Sequence, residues 1–158
     1  MIRLARARDA AAIATLWNHF IAETTVTFTT EPKTEADLRA LIDERSAAFL
    51  VAEDAGTLLG FATYGAFRSG PGYAASAEHS VMLSAAGQGR GLGRTLLGAL
   101  EQQAAQNGIH VLIAGVSGEN HAAIAFHRRM GFVETARMPQ VGRKFDRWLD
   151  LVCLQKIL

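Results

Sequence analysis

The sequence predicts a three-layer α/β/α fold on a mixed sheet, and three observations carry that expectation. Short apolar runs alternate with longer segments whose apolar residues recur every three or four positions. Read in order, these give β-α-α-β-β-β-α-β-α-β-β, an alternation that places helices on the faces of a sheet. At the centre, a glycine-rich turn from Gly87 to Arg94 joins an apolar strand to a helix.

Each element has a local reason. Residues 2–6 alternate apolar and polar, as a strand does. Asp9 is placed to cap a helix whose stripe is Ile13, Leu16, Trp17, Phe20 and Ile21. The β-branched run at 24–30 ends it, and Pro32 pushes Glu31 out of helical geometry. Phe28 in this run reads as a core residue or as a pocket wall. Thr34 with Asp37 resembles a capping box opening a helix with Leu38, Leu41 and Ile42. Residues 49–52 read as a buried strand, 54–56 as a hairpin turn and 58–68 as the returning strand. A loop at 69–73 leads into the central strand, which carries Val81, Met82 and Leu83. The helix after the glycines carries Leu92, Leu96, Leu97 and Leu100 and stops at Gly108. Residues 111–116 are apolar on both faces, hence a central strand. Residues 122–130 form a short helix closed by Gly131, and 132–134 a strand. A loop at 138–142 precedes a final strand at about 148–155.

Composition narrows the function. The chain has 158 residues, of which 49% are hydrophobic, enough for one core in one domain. Its 16 basic and 15 acidic residues leave a net charge of +1, which gives no field for nucleic acid or an anionic membrane. The N-terminus is charged where a secretory leader would be apolar, and no run is long enough to span a bilayer, so a cytoplasmic protein is expected. Cys153 is the only cysteine and lies in an apolar run, where a buried, inert thiol is expected. The five histidines show no ligand-pair spacing, so no metal is expected.

The glycine-rich turn suits a diphosphate. A helix N-terminus presents unpaired N–H groups and a positive dipole end, and glycine lets backbone approach a ligand closely. Arg90 and Arg94 add charge. No Lys follows the glycines, which excludes a Walker loop, and both G-x-G-x-x-G registers fail at the third glycine. The pattern [Q/R]-x-x-G-x-[G/A] is filled by Gln88, Gly91 and Gly93, and it resembles the acetyl-coenzyme A pyrophosphate loop of the GNAT superfamily of N-acetyltransferases. A ligand-free strand-to-helix turn would look the same in isolation.

Further stretches extend the likeness over nearly the whole chain. They are Phe28 before residues 29–32, residues 64–68, Gly72-Tyr73, residues 78–81, Asn120 with His127, and residues 141–151. Together they resemble the phosphinothricin acetyltransferase group, which includes enzymes acting on methionine sulfone and methionine sulfoximine. Met82 stands where that group usually has Tyr, and Asp146 where it usually has Gly. The resemblance implies a GNAT-type α/β/α domain over 1–158 with a mixed, mostly antiparallel sheet, acetyl-CoA as co-substrate, a homodimer, and a small amine acceptor bearing a carboxylate.

It also implies roles. The backbone of Val81, Met82 and Leu83 would pair with the pantetheine arm. Gln88, Gly89, Arg90, Gly91, Leu92, Gly93 and Arg94 would hold the pyrophosphate, and Asn120 would reach the pantetheine amide, cap its helix, or both. Glu78 would take the amine's proton or bind the amine; a solvated glutamate at a strand start is the plainer alternative. His127 stands where many GNAT enzymes use a Tyr to protonate the leaving sulfur, and could equally be a packed helix residue. Arg68 would hold the substrate's anion, with Phe28, Phe67, Ser69 and Tyr73 around it. Residues 144–148 form a short basic-aromatic cluster that reads as a subunit or active-site wall ahead of a nucleic-acid site. Other amine acceptors, a non-catalytic acyl-CoA-binding module and a pure interaction domain are the competing readings.

Overall fold

The computed structural model describes residues 1–158, and its strands form one seven-stranded sheet. The strands are β1 (Ile2–Leu4), β2 (Phe49–Asp54), β3 (Thr57–Ala66), β4 (Ser76–Leu83), β5 (Val111–Ser117), β6 (Val133–Lys144) and β7 (Arg147–Ile157). The helices are α1 (Ala10–Glu23), α2 (Glu35–Arg45), α3 (Leu92–Gln106) and α4 (His121–Arg129). The sheet order is β1-β2-β3-β4-β5-β7-β6, antiparallel at every pairing except the parallel β4–β5. Because α3 crosses over between them, β4 and β5 run the same way.

The period of two along each strand divides the apolar residues between two layers. On one face Phe49, Val51, Phe61 and Met82 pack against Ile13, Trp17 and Leu38 of α1 and α2. On the other, Ala62, Ala114, Val152 and Leu154 pack against Leu96, Leu97 and Leu100 of α3 and Ile124 of α4. The order of elements along the chain and the helical layers on both faces of a mixed sheet, expected from the pattern, are present.

The parallel pairing is short, and this shapes the site. Strand β4 stays registered with β3 as far as Leu83, and β5 with β7 as far as Ser117. Between β4 and β5, however, register ends at His79 opposite Ala114. Beyond that point the two strands part, and the edge of β4 at Val81–Leu83 that faces β5 has no strand partner.

Several local expectations need correction. Asp9 precedes α1 but does not cap it, because Arg3 holds its carboxylate at 2.8 and 2.9 Å and the Arg6 N–H donates to it. The loop expected at 138–142 is part of β6, which accommodates the extra residues as a register shift opposite β7. The hairpin turn that follows places Phe145 and Asp146 at φ of 51° and 58°. Glycine adopts that region without steric cost, which accounts for the Gly that the resemblance expects at 146. The capping box is present in full: Asp37 N–H donates to Thr34 Oγ1 at 3.0 Å and Thr34 N–H to Asp37 Oδ2 at 2.8 Å.

The α1–α2 connection is tied down over the sheet. The Lys144 ammonium, only 3% exposed, donates to the carbonyls of Thr24 and Thr27 at 2.6 and 2.8 Å. Glu119 accepts from Thr25 Oγ1 and from both terminal nitrogens of Arg147. The Phe28 ring lies so close over Gly142 that an added Cβ there would stand 2.4 Å from it.

Gly87, at the start of the glycine run, has a packing role. A Cβ on it would stand 2.5 Å from the Leu59 carbonyl oxygen, rigid backbone that also accepts from Ser84 N–H. Gly87→Ala is expected to destabilise by about 1–3 kcal/mol through overpacking, a fall in Tm of about 3–10 °C by thermal unfolding. An unchanged Tm would show that the loop yields freely.

Candidate active site

Where β4 and β5 part, a cleft of about 690 Å³ opens. Its floor is Val81, Met82 and Leu83, and one wall is the glycine loop with the first turn of α3: Gln88, Gly89, Gly91, Leu92, Gly93 and Arg94. The opposite wall comes from α4, with Asn120, Phe126 and His127. Gly89 and Gly91 take φ of +70° and +74°, which turns the chain into α3 and leaves its first N–H groups facing the cleft end. Gly93 lies against Leu83 and Phe126, where a larger residue would narrow the space. Asn120 caps α4, its Oδ1 accepting from Ala123 N–H at 3.1 Å. Arg90 departs from the expected anion site: its guanidinium turns to Asp54 at 2.8 Å on the β2–β3 hairpin and is absent from the cleft lining. Phe20, Val26 and Arg129 also line the cleft. Nothing in their local sequence marked them, because each meets the cleft only through the fold.

Glu78 and His79 leave β4 on opposite faces. Glu78 is opposite Gly65 on β3 and Ile113 on β5, and its carboxylate reaches across β5. A Cβ at Gly115 would stand 2.8 Å from Glu78 Oε1 and 3.5 Å from Leu151 Cδ1. The absence of a side chain at 115 is therefore what admits the carboxylate. Glu78 is exposed as a residue, but the packing of its carboxylate against the sheet at Gly115 desolvates it and raises its pKa from the ordinary carboxylate value. Cys153 is paired with Gly115 and is half-buried, more open than expected. Burial and then the Glu78 charge raise its thiol pKa, so it stays protonated and a poor nucleophile.

His79 points into the α3–α4 layer, where its Nε2 lies 3.0 Å from Nε2 of His127. His127 Nδ1 is 2.8 Å from the Ala123 carbonyl, which can only accept, so Nδ1 carries the proton. His127 Nε2 is then an acceptor, and His79 Nε2 is placed to donate to it, which leaves the buried His79 Nδ1 without a partner. Burial lowers both pKa values, that of His79 to about 3 with a further contribution from His127. Both rings are neutral at pH 7. In this state His127 has no spare proton directed at the cleft, which favours the packed reading over the proton-donor one.

A second hollow of about 490 Å³ lies at the β3–β4 end. Arg68, Ser69 and Tyr73 line it with Tyr64 and Asn107. The Arg68 guanidinium sits 5.4 Å from the Tyr73 ring centre, and Phe67 meets Tyr73 edge-on at 6.2 Å. Phe28 and Glu78 do not line this hollow. Both cations of the 144–148 cluster are engaged, Lys144 with carbonyls and Arg147 with Glu119, and the preceding Arg143 lies over Trp148 at 4.4 Å and near Asp146 at 3.8 Å. No group of three or more His, Cys, Asp or Glu side chains is placed to hold a metal ion, and no helix is long and apolar enough to cross a membrane.

A sheet that parts at its parallel pair, with a glycine loop feeding a helix N-terminus beside the gap, presents an open backbone edge next to a helix end suited to an anion. The chain belongs to the GNAT family of acetyltransferases, whose pattern matches residues 13–132. It is 43% identical over 158 residues to the L-amino acid N-acyltransferase MnaT of Escherichia coli, covering 98% of this chain and 91% of that protein. It is 40% identical to an L-methionine sulfoximine/L-methionine sulfone acetyltransferase of Salmonella typhimurium, covering 98% and 92%. A phosphinothricin acetyltransferase of Sinorhizobium meliloti, solved with acetyl-CoA, superposes with a TM-score of 0.94 at 30% identity, covering 100% of this chain and 88% of that one. The protein is an acetyl-CoA-dependent N-acetyltransferase.

The buried imidazoles lead to a prediction. In ¹⁵N-resolved histidine spectra at pH 7, His127 is expected as the Nδ1–H tautomer and His79 as the Nε2–H tautomer, both neutral. Their lowered pKa values give stability that is full above the unfolded histidine value near 6.5 and is lost as pH falls through the folded ones. A dominant imidazolium signal from either ring at pH 7 would contradict the assignment.

Proposed function

We propose that this enzyme acetylates the α-amine of a small amino acid or amino-acid analogue, with methionine sulfone, methionine sulfoximine and phosphinothricin as leading acceptors. The observation that carries the reading is Glu78, a solvent-accessible carboxylate laid across the sheet at Gly115, beside the gap between β4 and β5. The activities of the relatives support the acceptor class.

Acetyl-CoA supplies the thioester. The first N–H groups of α3, with Gln88, Gly89, Gly91, Leu92, Gly93 and Arg94, hold its pyrophosphate. The open edge of Val81, Met82 and Leu83 pairs with the pantetheine arm, and a backbone N–H there steadies the thioester oxygen. Asn120 stands beside that arm. Glu78 attracts the ammonium and takes a first proton from it, directly or through water, which frees the nitrogen lone pair; nitrogen then bonds to the acetyl carbon, the carbon–sulfur bond breaks, and the second proton that the nitrogen sheds in becoming an amide passes to solvent. His127 acts as a wall of the cleft, and the thiolate takes its proton from solvent. Phe28 closes the acceptor side. Arg68, Ser69 and Tyr73, steadied by Phe67, form the mouth through which an anionic amino acid enters. Transfer is direct, within a ternary complex, because the Cys153 thiol is not activated. The exposed Val141, Phe145 and Trp148 on the β6–β7 hairpin support a homodimer, and an acetyl-CoA substrate fits a cytoplasmic enzyme.

Thiol release from acetyl-CoA with the three analogues, the common amino acids and spermidine tests the acceptor. Release with amino acids or the analogues but not spermidine is expected, and the reverse would overturn it. Glu78→Gln is expected to lower kcat/KM about 10²–10⁴-fold. Because Glu78 must be ionised to act and its pKa is raised, wild-type activity climbs with pH through that raised value, and the variant loses this limb. Near-normal turnover across pH would remove Glu78 from the mechanism.

A further inference from the structure

Arg45 is the last residue of α2, where a basic side chain normally faces solvent and complements the helix dipole. Here it turns in. Its Nη1 donates to Thr63 Oγ1 at 3.1 Å, and Thr63 is fully buried on β3. The plane of the guanidinium covers Gly65: a Cβ there would stand 2.8 Å from Nη2, 3.2 Å from Cζ and 3.4 Å from Nε. Arg45 makes no ion pair, although the other inward-turned arginine, Arg3, is held by Asp9 and Glu53. A half-buried guanidinium keeps its charge, so an unpaired one leaves its donors and field directed at whatever enters the adjoining space.

That space is the 490 Å³ hollow of Arg68 and Tyr73, whose only carboxylate is the exposed Glu44. Gly65 and Thr63 also lie opposite Glu78 and Ser80 of β4 on the same sheet face. Arg45 therefore stands between the hollow and the catalytic face. The Glu78 carboxylate reaches β5 at Gly115, so guanidinium and carboxylate sit over strands about 10 Å apart, two strand spacings. Two hydrogen bonds of about 2.8 Å leave about 4 Å between them, close to the reach from an α-carboxylate to its α-amine.

We propose that Arg45 binds the α-carboxylate of the acceptor and, with Glu78 on the amine, measures the length of a free α-amino acid. This rests on the acceptor class proposed above. Arg68, exposed at the mouth and stacked near Tyr73, is left for steering or for a second anionic group. A fork fixed between Thr63 and Gly65 offers paired donors to a planar carboxylate and nothing comparable to a carboxamide.

The test compares methionine sulfone with its carboxamide, in wild type, Arg45→Met and Arg45→Lys. Wild type is expected to favour the free acid in kcat/KM by about 10- to 100-fold, the range of a charge-assisted hydrogen bond. Arg45→Met should remove that preference by raising the KM of the acid, leaving the amide and the KM of acetyl-CoA nearly unchanged, and Arg45→Lys should restore part of it. Equal loss for acid and amide in Arg45→Met, or a wild type indifferent to the carboxylate, would overturn the role. The wild-type comparison holds even if a variant folds poorly. Turnover of the carboxamide with none of the free acid or any other amino acid would overturn the acceptor class itself, a result distinct from failure of Arg45.

Discussion

The parting of β4 from β5 is the constraint on which the site depends. A sheet normally pairs every interior strand along its length, because unpaired backbone groups cost free energy away from water. Here the parallel register lasts only from Ser76 to His79, while the antiparallel partners on both sides continue. The neighbours hold the two strands in place, so the gap is a fixed feature. An extended amide-bearing arm can complete it as a strand would. The glycine loop then lies where the arm's charged end must emerge.

The alternation of side chains along β4 sorts the remaining chemistry. Glu78 and His79 are adjacent in sequence yet serve different layers. Glu78 shares its face with Gly65, Gly115 and Cys153, a strip kept low by glycines so that polar groups can lie across it. His79 enters the α3–α4 layer and fixes the His127 ring by a hydrogen bond. Over the Glu78 face, the α1–α2 connection is anchored by Lys144, a buried cation satisfied by carbonyls instead of a carboxylate. Such an anchor is costly to break, which suits a roof that must hold Phe28 in position.

Much of this was legible beforehand, for physical reasons. Strand and helix periods, the capping box of Thr34 and Asp37, and Gln88-x-x-Gly91-x-Gly93 are local signals, and the structure carries each of them. What remained hidden depends on contacts distant in sequence. Arg3 takes the Asp9 carboxylate from its expected cap, and Arg90 turns away from the glycine-loop cleft to Asp54 on another hairpin. The β6 register shift hides a strand behind loop-like residues at Pro139 and Gly142. Arg45 looks like an ordinary helix-end cation until Thr63 and Gly65 are seen beneath it. The His79–His127 hydrogen bond joins residues 48 apart, so neither residue alone announces a neutral pair.

The central claim is that the cofactor completes β4 where β5 leaves it. Hydrogen exchange at the amides of Val81, Met82 and Leu83, with and without saturating acetyl-CoA, tests it most directly. At least one of these amides should exchange quickly in the free enzyme and become strongly protected in the complex, together with amides at the start of α3. Tight binding of acetyl-CoA with no change at Val81, Met82 or Leu83 would place the cofactor elsewhere and contradict the account.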